Sequence, residues 1–329
     1  MRAAAQLYRS IPCWLVLAFV SGASLSSAQQ TPASPDLKIA EARRHLGLAQ
    51  LPEAERDLRD ALTLDPSATE AHFLLGYVLF RERRPADSLA EYNAAACLRT
   101  PTADELLSIA SDYILLKDLA DAERSLLFAT AHYPADPALW YLLGRTEYNQ
   151  DHNANAAHAF ARVLELRPRD LRAEYNLGLA FERLGRMADA VGAYQTAISW
   201  QSNTPQPDPQ PYLDLGSLLL RDGKHAEALD ALGQAVRFGP RNPFAHQQLG
   251  LALEALGRYG EAIAPLQQAA ALAPTAEQPH FFLGRVFRRL GRTSDSAREY
   301  AAAAKLLGSH SDAATPNPDS QSELPSNQH

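Results

Sequence analysis

The chain is short of the residues that most often carry chemistry. It has two cysteines, two methionines and three tryptophans in 329 residues, and only 8% aromatic residues. No HExxH, CxxC pair, GxSxG or GxxxxGK[ST] occurs, so the usual signatures of a zinc hydrolase, a serine hydrolase and a phosphate-binding loop are missing. Basic residues are outnumbered as well: the formal net charge is −7, which gives a nucleic-acid partner no electrostatic support. No cofactor is implied. Gly and Pro together are too few for a collagen-like or low-complexity chain.

One long apolar run is present. Arg2 and Arg9 precede residues 11–25 (IPCWLVLAFVSGASL), and Ser26-Ser27-Ala28 offers small residues before Gln29. The run is short and diluted by Ser and Gly, so it reads as a cleaved secretory signal over residues 1–28 rather than a span. An uncleaved anchor is the alternative. Cleavage would leave a periplasmic or extracellular protein with no integral membrane span. Its single cysteine would be Cys97, which cannot form an internal disulfide and reads as a small buried apolar residue.

What fills the rest is a repeat. Residues 178–197 (GLAFERLGRMADAVGAYQTA) return as GSLLLRDGKHAEALDALGQA from Gly216, GLALEALGRYGEAIAPLQQA from Gly250 and GRVFRRLGRTSDSAREYAAA from Gly284. Small residues recur along the whole chain at Ala42, Gly76, Ala110, Gly144, Gly178, Gly216, Gly250 and Gly284. Every step is 34 residues except one of 38, and the excess falls in or near QSNTPQPDPQ at 201–210. A second small series runs through Ala54, Ser88, Ala122, Ala156, Ala190, Ala228, Ala262 and Ser296. Apolar spacing of i, i+4 and i+7 within each unit predicts two helices of about 13 residues, each roughly 20 Å long. Two such helices cross closely only where their side chains are small. Gly185, Gly223, Gly257 and Gly291 fall between the helices, where glycine ends a helix easily. Pro265 falls inside a second helix and predicts a kink there.

This pattern strongly resembles the tetratricopeptide repeat, a 34-residue helix-turn-helix unit, in eight consecutive copies starting near 35, 69, 103, 137, 171, 209, 243 and 277. Trp140 and Tyr212 stand in the family's early aromatic slot, which His72, His246 and His280 share. That equivalence favours helix packing with a polar tip over metal ligation. Ala42 and Ala110 replace the first-helix glycine, and repeat 1 lacks large aromatics. The resemblance implies an all-α, right-handed superhelical solenoid over 35–308. A flexible lead at 29–34 would precede it, and a disordered polar tail at 309–329 would follow. One unit cannot bury its own apolar face, so each copy supplies the surface that its neighbour needs.

In proteins of this kind the first helices line a concave groove that holds peptides. The slots expected to face it carry Phe73, Tyr77 and Phe80 in repeat 2, Tyr141, Arg145 and Tyr148 in repeat 4, and Tyr175 with Arg183 in repeat 5. Aromatic and Arg side chains dominate interface energetics, and Tyr77 and Arg145 are the two least expected from packing alone. Repeat 8 adds Phe281 with Arg285, Arg288 and Arg289, the three arginines forming a candidate site for an acidic partner. The family's carboxylate-clamp pattern is not reproduced: Asn176 matches one residue type but lacks the accompanying Lys and Arg in adjacent repeats. The reading is therefore a non-catalytic, exported scaffold that binds a protein or peptide in its groove. The alternative is an assembly subunit of an envelope secretion or pilus-type complex, working through its ends and convex face.

Overall fold

The structure, a computed structural model, describes residues 34–201 and 203–314, with side chains as far as residue 308. The signal reading and most of the expected tail lie outside the described residues. The helices form pairs in chain order. The first four pairs are α1 (Pro35–Gly47) and α2 (Leu51–Leu64), α3 (Thr69–Arg81) and α4 (Pro85–Ala96), α5 (Ala103–Leu115) and α6 (Leu119–His132), and α7 (Pro137–Asn149) and α8 (Asn153–Leu166). Then follow α9 (Leu171–Arg183) and α10 (Met187–Gln201), and after them the pairs α11 (Gln210–Arg221) and α12 (His225–Phe238), α13 (Pro243–Ala255) and α14 (Tyr259–Leu272), and α15 (Glu277–Arg289) and α16 (Thr293–Ala314). No strand occurs among the described residues. The fold is an all-α solenoid. It divides into two compact units, one holding α1–α9 and the other α10–α16.

The helix starts are chemically marked. Ser34, Asp118, Asp136, Asp170 and Asn242 each cap a helix through the side chain. Thr102 does so within a full capping box closed by Glu105. Proline stands in the first turn of α1, α2, α4, α7, α11 and α13, where its missing N–H has no helical partner to lose.

Inside each pair the glycine series does what close approach demands. A Cβ built on Gly76 would stand 3.0 Å from the Tyr92 ring, one on Gly144 2.9 Å from Phe160, and one on Gly250 2.5 Å from Leu266 Cγ. Where the second small residue is serine it adds a buried bond across the pair. Ser88 Oγ donates to the Gly76 carbonyl and Ser296 Oγ to that of Gly284, both at 2.8 Å. The turn between the two helices needs one left-handed residue. Glycine supplies it at Gly185, Gly223, Gly257 and Gly291, whereas Ala49, Arg83, Lys117 and Asp151 supply it in the first four pairs, at φ of 57–62°.

Successive pairs are fastened by the early slot. His72 Nε2, Trp140 Nε1 and His246 Nε2 lie 3.0, 2.9 and 2.9 Å from the carbonyls of Pro66, Pro134 and Pro240, six residues back in each case. The slot therefore packs with a satisfied polar tip.

Within the first unit α1 touches α3, α3 touches α5, α5 touches α7 and α7 touches α9. No two second helices approach as closely among the described residues. The first helices thus form the inner face of that unit.

α14 is one helix on both sides of Pro265, with Ala262, Leu266 and Ala269 buried on its core side. Two expectations change. Cys97 is exposed rather than buried. It follows buried Ala95 by two positions at the end of α4, which turns it to the opposite side of the helix. The last helix reaches Ala314, past the residue 308 boundary read from the sequence.

Candidate functional site: the inner face of the first unit

The candidate residues of repeats 2, 4 and 5 separate once their surroundings are known. Phe73 is mostly buried: only 3% exposed, it packs in the core with Leu89, Tyr92, Leu106 and Ile109. Its ring is tilted against Tyr92 at 6.2 Å and covered by the Arg99 guanidinium at 3.6 Å. Arg99 in turn grips Glu105 with two hydrogen bonds of 2.6 and 2.8 Å. Phe73 thus packs against repeat 3 and also edges the cavity between α1, α3 and α5.

Tyr141 and Tyr148 are half-buried against Phe160 and its neighbours. Tyr141 meets the Phe160 ring edge-on at 5.9 Å and accepts a 3.3 Å hydrogen bond from Asn176. The Tyr148 hydroxyl accepts one of the same length from Arg183, whose guanidinium also lies 3.7 Å from Asp151. Hydrogen bonding to Tyr148 raises the Arg183 pKa. Tyr175 is half-buried. These contacts give Tyr141, Tyr148 and Arg183 partners within the protein.

Two cavities lie on the first-helix face. One, of about 510 Å³, is bounded by Arg43, Glu70, Phe73, Tyr77, Asp104 and Ser108, between α1, α3 and α5. Glu70 there is paired with Arg43. The other, of about 380 Å³, lies between the C-terminal halves of α3, α5 and α7. Its apolar lining is Phe80, Ile114, Leu115 and Leu142, and its polar lining includes Arg81, Arg83, Arg145, Ser111 and Asn149. Phe80 and Arg145 therefore meet in one cavity, while Tyr77 lines the other. A 2.7 Å hydrogen bond from Arg81 to the Tyr77 hydroxyl links the two.

Arg81, Arg83, Ile114 and Leu115 were not among the sequence candidates. Repeat 3 has no aromatic in its groove slots, so its contribution is the exposed aliphatic end of α5, where Leu115 is 42% exposed. The RERR run at 81–84 was the available sequence signal for the arginines.

The repeat 8 cluster is reduced in the same way. Arg285 is committed to Glu254 by two bonds of 2.6 and 2.7 Å, so its charge is already answered. Arg288 and Arg289 are exposed.

Two buried carboxyls sit on first helices beneath this face. Asp112 on α5 is fully buried, and burial pushes its pKa up to about 6. Glu147 on α7 is 3% exposed; burial, with the Glu123 charge adding to it, pushes its pKa up to about 7. Neither Asp112 oxygen, nor Glu147 Oε2, has a hydrogen-bond partner among the described residues. No three His, Cys, Asp or Glu side chains gather as a metal site among the described residues. No helix there is long and apolar enough to cross a membrane.

Similarity to known proteins agrees with this architecture. A tetratricopeptide-repeat family model matches residues 39–104, 141–207 and 213–277. No curated protein matches the chain. Among solved structures, a tetratricopeptide repeat protein from Parabacteroides merdae is similar over 77% of this chain and 98% of its own, at 18% identity and a TM-score of 0.54. MamA (residues 41 to the end) from Desulfovibrio magneticus RS-1 covers 53% of this chain and 96% of its own, at 21% identity and a TM-score of 0.49. YrrB, described as a TPR protein with an unusual peptide-binding site, covers 51% and 86% at 22% identity and a TM-score of 0.48. At such identities the likeness concerns the fold. With most of its length matched by the family model and sixteen helices among the described residues following the repeat period, this chain belongs to the tetratricopeptide repeat family, whose members are protein-interaction scaffolds.

Proposed function

We propose that the protein is an exported, non-catalytic scaffold that holds a protein or peptide partner on the first-helix face of its α1–α9 unit. The observation that carries this reading is the cavity between α3, α5 and α7, where Phe80 and Arg145 converge over an apolar floor. A concave, mostly apolar site with a few placed polar groups is the usual form of a binding pocket. Aromatic and arginine side chains are both enriched at protein interfaces. Export rests on residues 1–28, and a periplasmic or extracellular location follows from it.

The test is crosslinking of the protein in cells, followed by identification of the captured chain and the crosslinked residues. It is run beside a Tyr77→Ala/Arg145→Ala variant shown to be folded by its helical circular dichroism. Loss of capture in the variant is the expected result. Capture that persists unchanged, with crosslinks elsewhere, would remove this face from consideration.

A second reading, an assembly subunit working through its end, has one observation in its favour. On the last pair Leu307 is 60% and Phe281 47% exposed, an apolar surface at the point where a further repeat would stack. Loss of capture on substituting Leu307, with the Tyr77/Arg145 variant unaffected, would favour it.

A further inference from the structure

We infer that the cavity between α3, α5 and α7 takes an acidic peptide segment, with one bulky apolar side chain on its floor and carboxylate side chains on its rim. This rests on the groove reading above and adds the chemistry of the occupant.

The argument is one of uncompensated charge. Arg81, Arg83 and Arg145 all line this cavity, and no Asp or Glu does. None of the three forms an ion pair among the described residues. The only side-chain hydrogen bond they make is from Arg81 to the neutral Tyr77 hydroxyl. What sets these three apart is that they gather at one cavity with no acid in its lining, in a molecule whose net charge is −7. The contrast is sharpest within one run. Arg84, next along from Arg83, collects Glu55 at 2.7 Å, Glu82 at 3.2 Å and Asp87 at 2.8 Å. Glu82, the one acid inside the RERR run, is thereby drawn away from the rim. On α7, Glu147 is buried rather than turned into the cavity.

Three guanidinium groups around an apolar floor therefore present positive charge in a chain that is otherwise acidic. Arginine's planar fork suits carboxylates, which it can hold with two parallel hydrogen bonds. The three cations come from two helices and a turn, so a single terminal carboxylate would answer only part of the charge. Several acidic side chains in an extended segment answer all of it. The floor of Phe80, Ile114, Leu115 and Leu142 then takes the apolar side chain between them. A partner of this composition also approaches favourably, because opposite charge speeds encounter and loses that advantage in salt.

The test is selection of internally displayed random peptides on the full chain. The enriched sequences are then resynthesised with both ends capped, so that no terminal charge remains. Binding is read by fluorescence polarisation against the protein, an Arg145→Glu variant and an Arg288→Glu control, each checked by thermal melting. Enrichment of an apolar residue flanked by Asp or Glu is expected. Arg145→Glu should weaken the capped peptides about tenfold or more, Arg288→Glu should leave them unchanged, and added salt should weaken binding to the parent chain. Enrichment of neutral or basic peptides, no enrichment, or binding only with a free C-terminal carboxylate would overturn the inference. Neutral peptides that are still lost in a Phe80→Ala variant would leave the groove reading standing without its acidic partner. Peptides that tolerate every change on α3, α5 and α7 would overturn both.

Discussion

Gly216 and Leu232 face each other across α11 and α12 so closely that a methyl group on the glycine would lie 2.5 Å from Leu232 Cγ. The glycine is there for the neighbour's sake, since alanine is the better helix former by about 1 kcal/mol. Gly216→Ala should therefore lower stability by roughly 1–3 kcal/mol through overpacking. Gly233→Ala, on the same helix pair but with nothing within 4 Å, should raise it by about 0.5–1 kcal/mol. Urea denaturation midpoints of the two variants should move in opposite directions. Parallel movement would contradict the close-approach account.

The left-handed turn position gives a second contrast. Lys117 holds φ of 62° and Gly223 holds 79° at equivalent places in their repeats. A side chain in this conformation costs about 1–2 kcal/mol, partly offset by the greater freedom glycine has when unfolded. Lys117→Gly should stabilise by about 0.5–1 kcal/mol, and Gly223→Ala should destabilise by a similar amount or more. Thermal unfolding of both reads the difference.

Glu147 makes stability depend on pH. Burial holds its carboxyl at about 7, above the ordinary 4.5, so the folded state keeps its proton longer than the unfolded state. Its contribution is intact below about pH 4.5 and is lost as pH rises toward 7, amounting to roughly 1–3 kcal/mol above that. Glu147→Gln should abolish this slope and raise the denaturation midpoint at pH 8. Asp112, pushed up to about 6 by burial, should leave a residual fall centred between pH 4 and 6. A variant as pH-dependent as the parent between 5 and 7 would exclude Glu147 as the source.

The signal reading predicts that protein recovered from the exporting cell begins at Gln29. Intact-mass measurement of that protein checks it, and retention of residues 1–28 would mean an anchor instead.

The fold was legible because crowding leaves a mark that sequence cannot hide. Where two helices must cross, only small residues fit, and Gly76, Gly144 and Gly250 stand against rings or branched carbons that nothing larger could approach. The orientation of single side chains was less legible. Phe73 and Phe80 share one helical stripe, yet Phe73 is held in the core at the edge of one cavity while Phe80 lines the other. That difference is set by the neighbouring pair, which periodicity within one helix does not include. The charge of the cavity was harder still to foresee. Sequence shows that Arg83 and Arg84 adjoin, but only the fold shows that Arg84 takes the nearby acids and leaves Arg83 without any.

His72 bears on the mechanical character of the chain. Its Nδ1 lies 2.7 Å from a Glu91 carboxylate oxygen and its Nε2 3.0 Å from the Pro66 carbonyl. Both partners are acceptors, so the ring holds both only as an imidazolium, and hydrogen bonding to Glu91 raises its pKa accordingly. Trp140 makes the corresponding bond to Pro134 through an indole N–H that does not titrate. Stretched along its length, the chain should be unevenly elastic. The joint at His72 stiffens in acid and slackens as the imidazole loses its proton, while the joint at Trp140 keeps one stiffness throughout.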